Sequence, residues 1–282
     1  MIPAEFDYTA PETLDDAIKA LADGGEDAKL LAGGHSLLPL MKLRLAAPSL
    51  LVDLRKVPGL HGIQREDGNW RIGALTPHAE LEHTPDLGVV SLTAGTIADP
   101  QVRNRGTIGG SLAHGDPASD LPAVMLICEA SVTLQGAGGQ QRSVSANDLF
   151  QDYLETAVEP TEVLTEIRMP AYDGWGFAYQ KFNRRSEDWA MVAVSALVKK
   201  NGDTIEDARI GLTNMASVPL RAHAVEEALR GQPGTADSIA RAAEQAAEGT
   251  DPPADLNASS DYKRHLARVM CRRALEEAAG LP

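Results

Sequence analysis

Two glycine pairs are the residues of this chain whose type and spacing most clearly suggest chemistry. In Ala32-Gly33-Gly34-His35-Ser36 the pair follows a short strand-like run and precedes an apolar helical segment. Adjacent glycines permit positive φ and close backbone approach, so successive N–H groups can converge on an anion. In Arg105-Gly106-Thr107-Ile108-Gly109-Gly110-Ser111 a second pair follows a β-branched pair and leads into His114-Gly115-Asp116-Pro117-Ala118-Ser119-Asp120. One Gly-Gly alone is most simply a tight turn. Two of them in one α/β region point instead to a pyrophosphate. Neither matches Gly-x-Gly-x-x-Gly or a phosphate loop ending in Gly-Lys-Ser/Thr, so Rossmann and nucleoside-triphosphatase readings have no support. A lysine-free cradle of neutral amides suits a dinucleotide that is held rather than one whose phosphoryl group is transferred.

Other polar residues have plainer readings beside the functional ones. Asp120 precedes Leu121-Pro122 and can cap a helix, bind a ligand, or do both. His35 and His114 have no histidine or carboxylate partner at ligand spacing, which favours structural or hydrogen-bonding roles over a metal site. His78 and His83 are five positions apart, off one helical face, and receive no role. Lys181 and Arg184-Arg185 read equally as solvated charge. Cys128 and Cys271 are the only cysteines. They are too few for an iron–sulfur cluster, a zinc ribbon or a disulfide framework. No catalytic nucleophile, general base or metal-ligand set stands out.

Three groups of elements must position these residues. From Met1 to about Arg55, a helix starting after Thr13, a strand at Lys29 to Ala32, a helical segment from Leu37 and a strand at Ser49 to Asp53 form a small α/β unit. From Pro58 to Pro170, strands at Trp70 to Ala74, Ser131 to Gln135 and Val163 to Met169 alternate with helices beginning at Thr76-Pro77 and Asp120-Leu121-Pro122. In both helices a capping side chain stands before an early proline. Gly136 to Gly139 closes a hairpin. Beyond Pro170, strands at Trp175 to Phe182, Ala190 to Val198 and Thr204 to Thr213 precede helices at Leu220 to Arg230, Ser238 to Glu248 and Asp261 to Ala279. That order predicts a separate α+β domain. On the last helix Tyr262, Leu266, Val269 and Leu275 are the expected buried stripe. Lys263, Arg264, Arg268, Arg272 and Arg273 form a basic remainder, either solvated or a docking face.

The 282 residues carry 43% apolar and 23% charged side chains, an ordinary globular composition with room for two domains. The formal charge of -14 opposes binding to nucleic acid or an anionic membrane. No apolar stretch approaches the ~20 residues of a membrane span. The acidic start, with Glu5, Asp7 and Glu12, does not read as a secretory leader, so the cytoplasm is the expected location.

At greater length the motifs become specific. Ala32-Gly33-Gly34-His35-Ser36-Leu37-Leu38-Pro39-Leu40-Met41-Lys42, Gln101 to Ser111, Asp116-Pro117-Ala118-Ser119-Asp120-Leu121-Pro122 and Lys181 to Ala190 together resemble the medium, FAD-binding subunit of carbon monoxide dehydrogenase-type molybdenum hydroxylases, within the xanthine dehydrogenase family. The resemblance spans nearly the whole chain. It implies an α+β protein with an FAD-binding domain of vanillyl-alcohol-oxidase (PCMH) type in two α/β subdomains, 1–55 and 56–173. A flavoprotein C-terminal domain, 174–282, would hold an antiparallel three-stranded sheet and helices. Carried over by position, Ala32, Gly33, Gly34, His35 and Ser36, with Thr107, Ile108, Gly109, Gly110 and Ser111, would cradle the FAD pyrophosphate and its surroundings. Asp120 would bind a sugar-type hydroxyl, Leu164 would line the cofactor and Lys181 would lie near the flavin. Many relatives have Gly-Asp-Phe where this sequence has Glu187-Asp188-Trp189, a departure in the loop that approaches the flavin ring.

The implied partners are a small subunit carrying two [2Fe–2S] clusters and a large molybdenum-pterin subunit, in a dimer of heterotrimers. Electrons would enter FAD from a cluster and leave to an external acceptor. Two other readings stay open at this point. A self-sufficient flavin oxidase would need its own substrate pocket, and the C-terminal domain offers few aromatics to line one. A non-enzymatic assembly subunit without flavin would have no use for intact Gly-Gly pairs.

Overall fold

The computed structural model describes residues 2–281. Thr13 accepts a hydrogen bond from the Asp16 amide and starts the helix Leu14–Gly24, which buries Ala17, Ile18 and Leu21 on one face. Three short strands lie beside it in a parallel sheet, with Leu50–Asp53 between Asp7–Thr9 and Ala28–Leu31. Parallel neighbours require crossovers, and the segment carrying the first glycine pair and the helix Leu37–Lys42 is one of them.

The next sheet is antiparallel and five-stranded, in the order Ile63–Glu66, Asn69–Gly73, Val163–Pro170, Ser131–Gln135, Gln141–Ser145. Its central strand arrives about ninety residues after its neighbour Asn69–Gly73, and the intervening chain supplies the helices of this unit, with the second glycine pair at the start of Ile108–His114. The helix Asp120–Ile127 is buried at every position; beyond its first residue, Asp120, it is apolar all round, as a helix inside a core must be.

A third sheet places Gly176–Phe182, Val192–Asn201 and Thr204–Thr213 in antiparallel register, as expected, and adds the two-residue strand Leu220–Arg221 at its edge. Leu220 therefore does not begin a helix; that helix runs His223–Leu229. Helix Ser260–Ala278 covers the first two strands. Helix Asp120–Ile127 packs against Val192–Asn201 and Thr204–Thr213. The contact is backbone-close, because a Cβ on Gly211 would stand 2.6 Å from the Ala123 carbonyl oxygen.

Three local expectations are corrected. The helix after Thr76-Pro77 is His78–Glu82 and has no side-chain cap, because the Thr76 hydroxyl bonds instead to the Gly62 backbone. Asp120 is the first helical residue, and Ser119 precedes it without a side-chain capping bond. The last helix buries Lys263, Leu266, Ala267, Met270, Cys271, Ala274, Leu275 and Ala278, while Tyr262 is 44% exposed and Val269 is only half-buried. Small alanines at the right spacing set the stripe. Lys263 joins it because the Asp255 carboxylate lies 2.8 Å from its Nζ, so the stem packs in the core with its charge answered. No helix among the described residues is long and apolar enough to cross a membrane.

Candidate functional site

A cleft of about 600 Å³ opens where the three sheets' loops meet, a size within the ~300–1,000 Å³ of small-molecule and cofactor sites. The first glycine segment and Leu37 form one wall. Ala74, Thr107, Gly109, Gly110 and Ser111 form another, joined by Asp120 and Leu164. Lys181 and the loop Glu187-Asp188-Trp189 reach in from the third sheet. Of the thirteen residues the sequence singles out, only Ile108 is absent from the lining. Its side chain is fully buried in the core behind the helix start.

The two glycine segments differ in their backbone donors. Gly34 has φ +80, and its carbonyl starts the helix Leu37–Lys42 by accepting from the Leu38 amide at 2.9 Å. Among the described residues the amides of Gly33, Gly34, His35 and Ser36 donate to no group of the chain. Four successive unpaired N–H groups on a cleft wall form an anion nest. In the second segment Ile108 N donates to the Thr76 carbonyl at 3.1 Å, Gly109 N to that of Ala74 at 2.9 Å and Ser111 N to that of Thr107 at 3.0 Å. Gly110 N donates to the Thr107 hydroxyl at 3.1 Å, the N-cap bond of Ile108–His114. The expectation of two equivalent nests is therefore corrected. The second segment is a wall whose amides from Ile108 to Ser111 are already engaged.

Its glycines serve contact between chain segments. A Cβ on Gly109 would stand 2.5 Å from the Ala74 Cβ and 2.7 Å from its carbonyl oxygen. The two segments also touch directly, since a Cβ on Gly33 would come within 2.1 Å of the Arg105 carbonyl oxygen and 2.9 Å of the Gly106 Cα. Side chains there would wedge the walls apart.

At the far side Asp120 and Lys181 form a buried ion pair, with Nζ 3.0 Å from Oδ2. Lys181 Nζ also donates to the Thr96 carbonyl at 3.2 Å, and the Tyr179 hydroxyl donates to Asp120 Oδ1 at 2.5 Å. Burial pushes the Asp120 carboxyl up, opposed by Lys181 and Tyr179, and burial together with Asp120 holds the Tyr179 hydroxyl well above its usual range. These partners come from residues 59 and 61 positions away. The network fastens the third sheet to the first turn of Asp120–Ile127. Trp189 stands 57% exposed at the mouth.

His35 sits on the exposed rim; partial burial and Arg105 lower its pKa, and Asp99 acts against them. His114 lines the cleft without a metal-type partner set among the described residues. Both cysteines are buried, and burial pushes each thiol up to about 12, which leaves them inert. Sequence reasoning missed Tyr179 and His78. His78 is 5% exposed and lines the cleft; its position after the strand end and Thr76-Pro77 was the available signal.

Residues 4–172 match the family described as FAD binding domain in molybdopterin dehydrogenase, and residues 177–278 match the CO dehydrogenase flavoprotein C-terminal domain. The chain belongs to the FAD-binding medium chains of the molybdenum hydroxylases. Among its relatives is the carbon monoxide dehydrogenase medium chain of Hydrogenophaga pseudoflava, 43% identical over 99% of this chain and 98% of that one. Another is the 6-hydroxypseudooxynicotine dehydrogenase complex subunit alpha of Paenarthrobacter nicotinovorans, 38% identical over 99% and 96% of the two chains. A solved reconstituted CO dehydrogenase from Oligotropha carboxidovorans superposes with a TM-score of 0.96 at 40% identity, covering 100% of both chains. As a medium chain, the protein is an oxidoreductase subunit with FAD as its cofactor. The cleft fits that group: it pairs unused amide donors with a glycine, Gly33, at which a Cβ would collide with the Arg105-Gly106 backbone facing it.

Proposed function

We propose that this medium chain is the redox relay of a cytoplasmic, multi-subunit molybdenum hydroxylase. In this reading electrons come from the [2Fe–2S] clusters of a small subunit, pass through FAD and leave to an external acceptor. Substrate is oxidised on a large molybdenum-pterin subunit, and the whole is a dimer of heterotrimers. The chain divides into an FAD-binding domain over 1–173, with subdomains 1–55 and 56–173, and a C-terminal domain over 174–282. FAD, when bound, supplies a centre that can take up electrons singly and pass them on.

The chain's residues bind and orient. The amides of Gly33 to Ser36 hold the pyrophosphate, with Ala32 beside them. Thr107, Gly109, Gly110 and Ser111 shape the facing wall, and Ile108 anchors that wall from the core. Each Asp120 oxygen already accepts one bond and retains a lone pair for a cofactor hydroxyl. Lys181 uses two of its three protons within the chain, leaving one for the cofactor. Leu164 and Trp189 exclude water along the apolar portion.

The observation that carries this reading is the run of unpaired amides opening on a cleft of cofactor size. Its test uses the purified chain loaded with FAD. Dithionite should bleach the flavin, whereas the substrate of the assembled complex should leave it oxidised. Adding the cluster and molybdenum subunits should restore substrate-dependent bleaching. Turnover of an organic substrate by the chain alone, with an artificial acceptor, would replace the relay with a self-sufficient oxidase.

A further inference from the structure

His78 is the polar side chain of the cleft that the chain leaves unanswered. Its backbone is fixed, with the amide donating to the Gly106 carbonyl at 2.9 Å. Its ring packs so closely on Gly106 that a Cβ there would lie 2.8 Å from Cδ2 and 3.1 Å from Nε2. Gly106 in turn abuts Gly33, whose built Cβ would fall 2.9 Å from the Gly106 Cα. The imidazole thus stands one residue layer from the amide nest. Nδ1 is fully enclosed and has no hydrogen-bond partner. A buried nitrogen with no acceptor in reach is better left unprotonated, which places the ring proton on Nε2. What remains accessible of His78 opens on the cleft.

We propose that His78 is a cofactor-binding residue whose Nε2–H donates a hydrogen bond to the pyrophosphate of FAD, supplementing the Gly33 to Ser36 amides. The inference rests on assigning this cleft to FAD. A neutral donor is suited to the place, since it satisfies a phosphate oxygen without adding a charge that would have to be buried in the apoprotein. Beyond its position after Thr76-Pro77 the sequence does not mark this role, because the close packing of the ring depends on Gly106 lacking a side chain.

The test uses the full chain stripped of FAD, titrated with FAD, ADP and riboflavin. A hydrogen bond to a charged group corresponds to about tenfold or more in affinity. His78→Leu should weaken FAD and ADP by at least about tenfold and leave riboflavin, which lacks the pyrophosphate, unchanged. The melting temperature of the apoprotein should be unchanged or raised, since an unpartnered polar group has been removed. His78→Gln, which keeps a donor, should recover most of the affinity. In histidine-labelled wild type, the His78 Nε2–H resonance should shift downfield on adding ADP, a readout independent of whether the variants fold. Unchanged FAD and ADP affinity in His78→Leu, loss of riboflavin but not ADP affinity, or an unmoved resonance would each overturn the proposal. Gly33→Val serves as the control: if it still binds FAD stoichiometrically, the cleft assignment fails, whereas if only His78→Leu keeps full affinity, the histidine alone is wrong.

Discussion

The two glycine pairs look alike in the sequence and do different work. Gly33 and Gly34 free four consecutive amides for a ligand. Gly109 and Gly110 sit where every amide from Ile108 to Ser111 already has an acceptor within the chain. What separates them is the neighbour each segment finds. The second runs beside the end of Asn69–Gly73, through the bridge between Pro77 and Thr107; the Ile108 and Gly109 amides donate there, and those of Gly110 and Ser111 donate to Thr107. The first turns directly from the strand Ala28–Leu31 into the helix Leu37–Lys42 and meets no such edge. A glycine pair therefore announces close approach. Only the surrounding hydrogen bonds decide whether that approach is to a ligand or to another part of the chain.

The two segments' difference is most vulnerable at Gly33. Gly33→Val should abolish measurable FAD binding, at least about a hundredfold, because its Cβ would overlap the Arg105 carbonyl at 2.1 Å and push the nest off the opposite wall. Titration of the refolded variant reads the effect.

The next largest effect concerns the histidine resting on the second segment. Burial, with His35 and Arg103 adding to it, lowers the His78 pKa to about 4. The unfolded chain takes up this proton first, so apoprotein stability should fall as pH drops from about 6.5 towards 4. The full linkage is roughly 3 kcal/mol. Urea denaturation across that range should show a pH-dependent loss in wild type that His78→Leu reduces.

Gly109→Ala should cost about 1–3 kcal/mol of stability with or without FAD, since its Cβ would strike Ala74 within the protein. FAD affinity of the folded fraction should change little. A thermal melt paired with a flavin titration separates the two quantities. The smallest effect belongs to Thr107→Val, which keeps the side-chain shape but removes the cap on Gly110 N. About 1 kcal/mol of stability should be lost. The freed amide would make the second segment more like the first.

Much of the architecture was legible because it depends on short-range pattern. Apolar alternation marked Thr204–Thr213, and Thr13 marked the first helix. Both glycine segments were legible as ligand-binding candidates, and both line the cleft, though only the first keeps its amides free. The rest depended on distant partners. Asp120 read as a cap, a ligand-binding group or both from its place before a proline-containing helix, and its carboxylate turns to Tyr179 and Lys181 across the join between sheets, which no local pattern signals. Lys263 read as surface charge because Asp255, eight residues earlier, gave no local sign of meeting it. His78 gave no periodic signal, and its burial arises from the Gly106 backbone packed against it.

Amide hydrogen exchange of the chain with and without FAD tests the contrast between the two segments most directly. Unpaired amides should exchange rapidly in the apoprotein and become protected when a pyrophosphate occupies the nest, while amides already bonded within the chain should change little. Protection should rise strongly at Gly33, Gly34, His35 and Ser36 and little at Ile108 to Ser111. Equal gains at both segments, or a gain confined to Ile108 to Ser111, would contradict it.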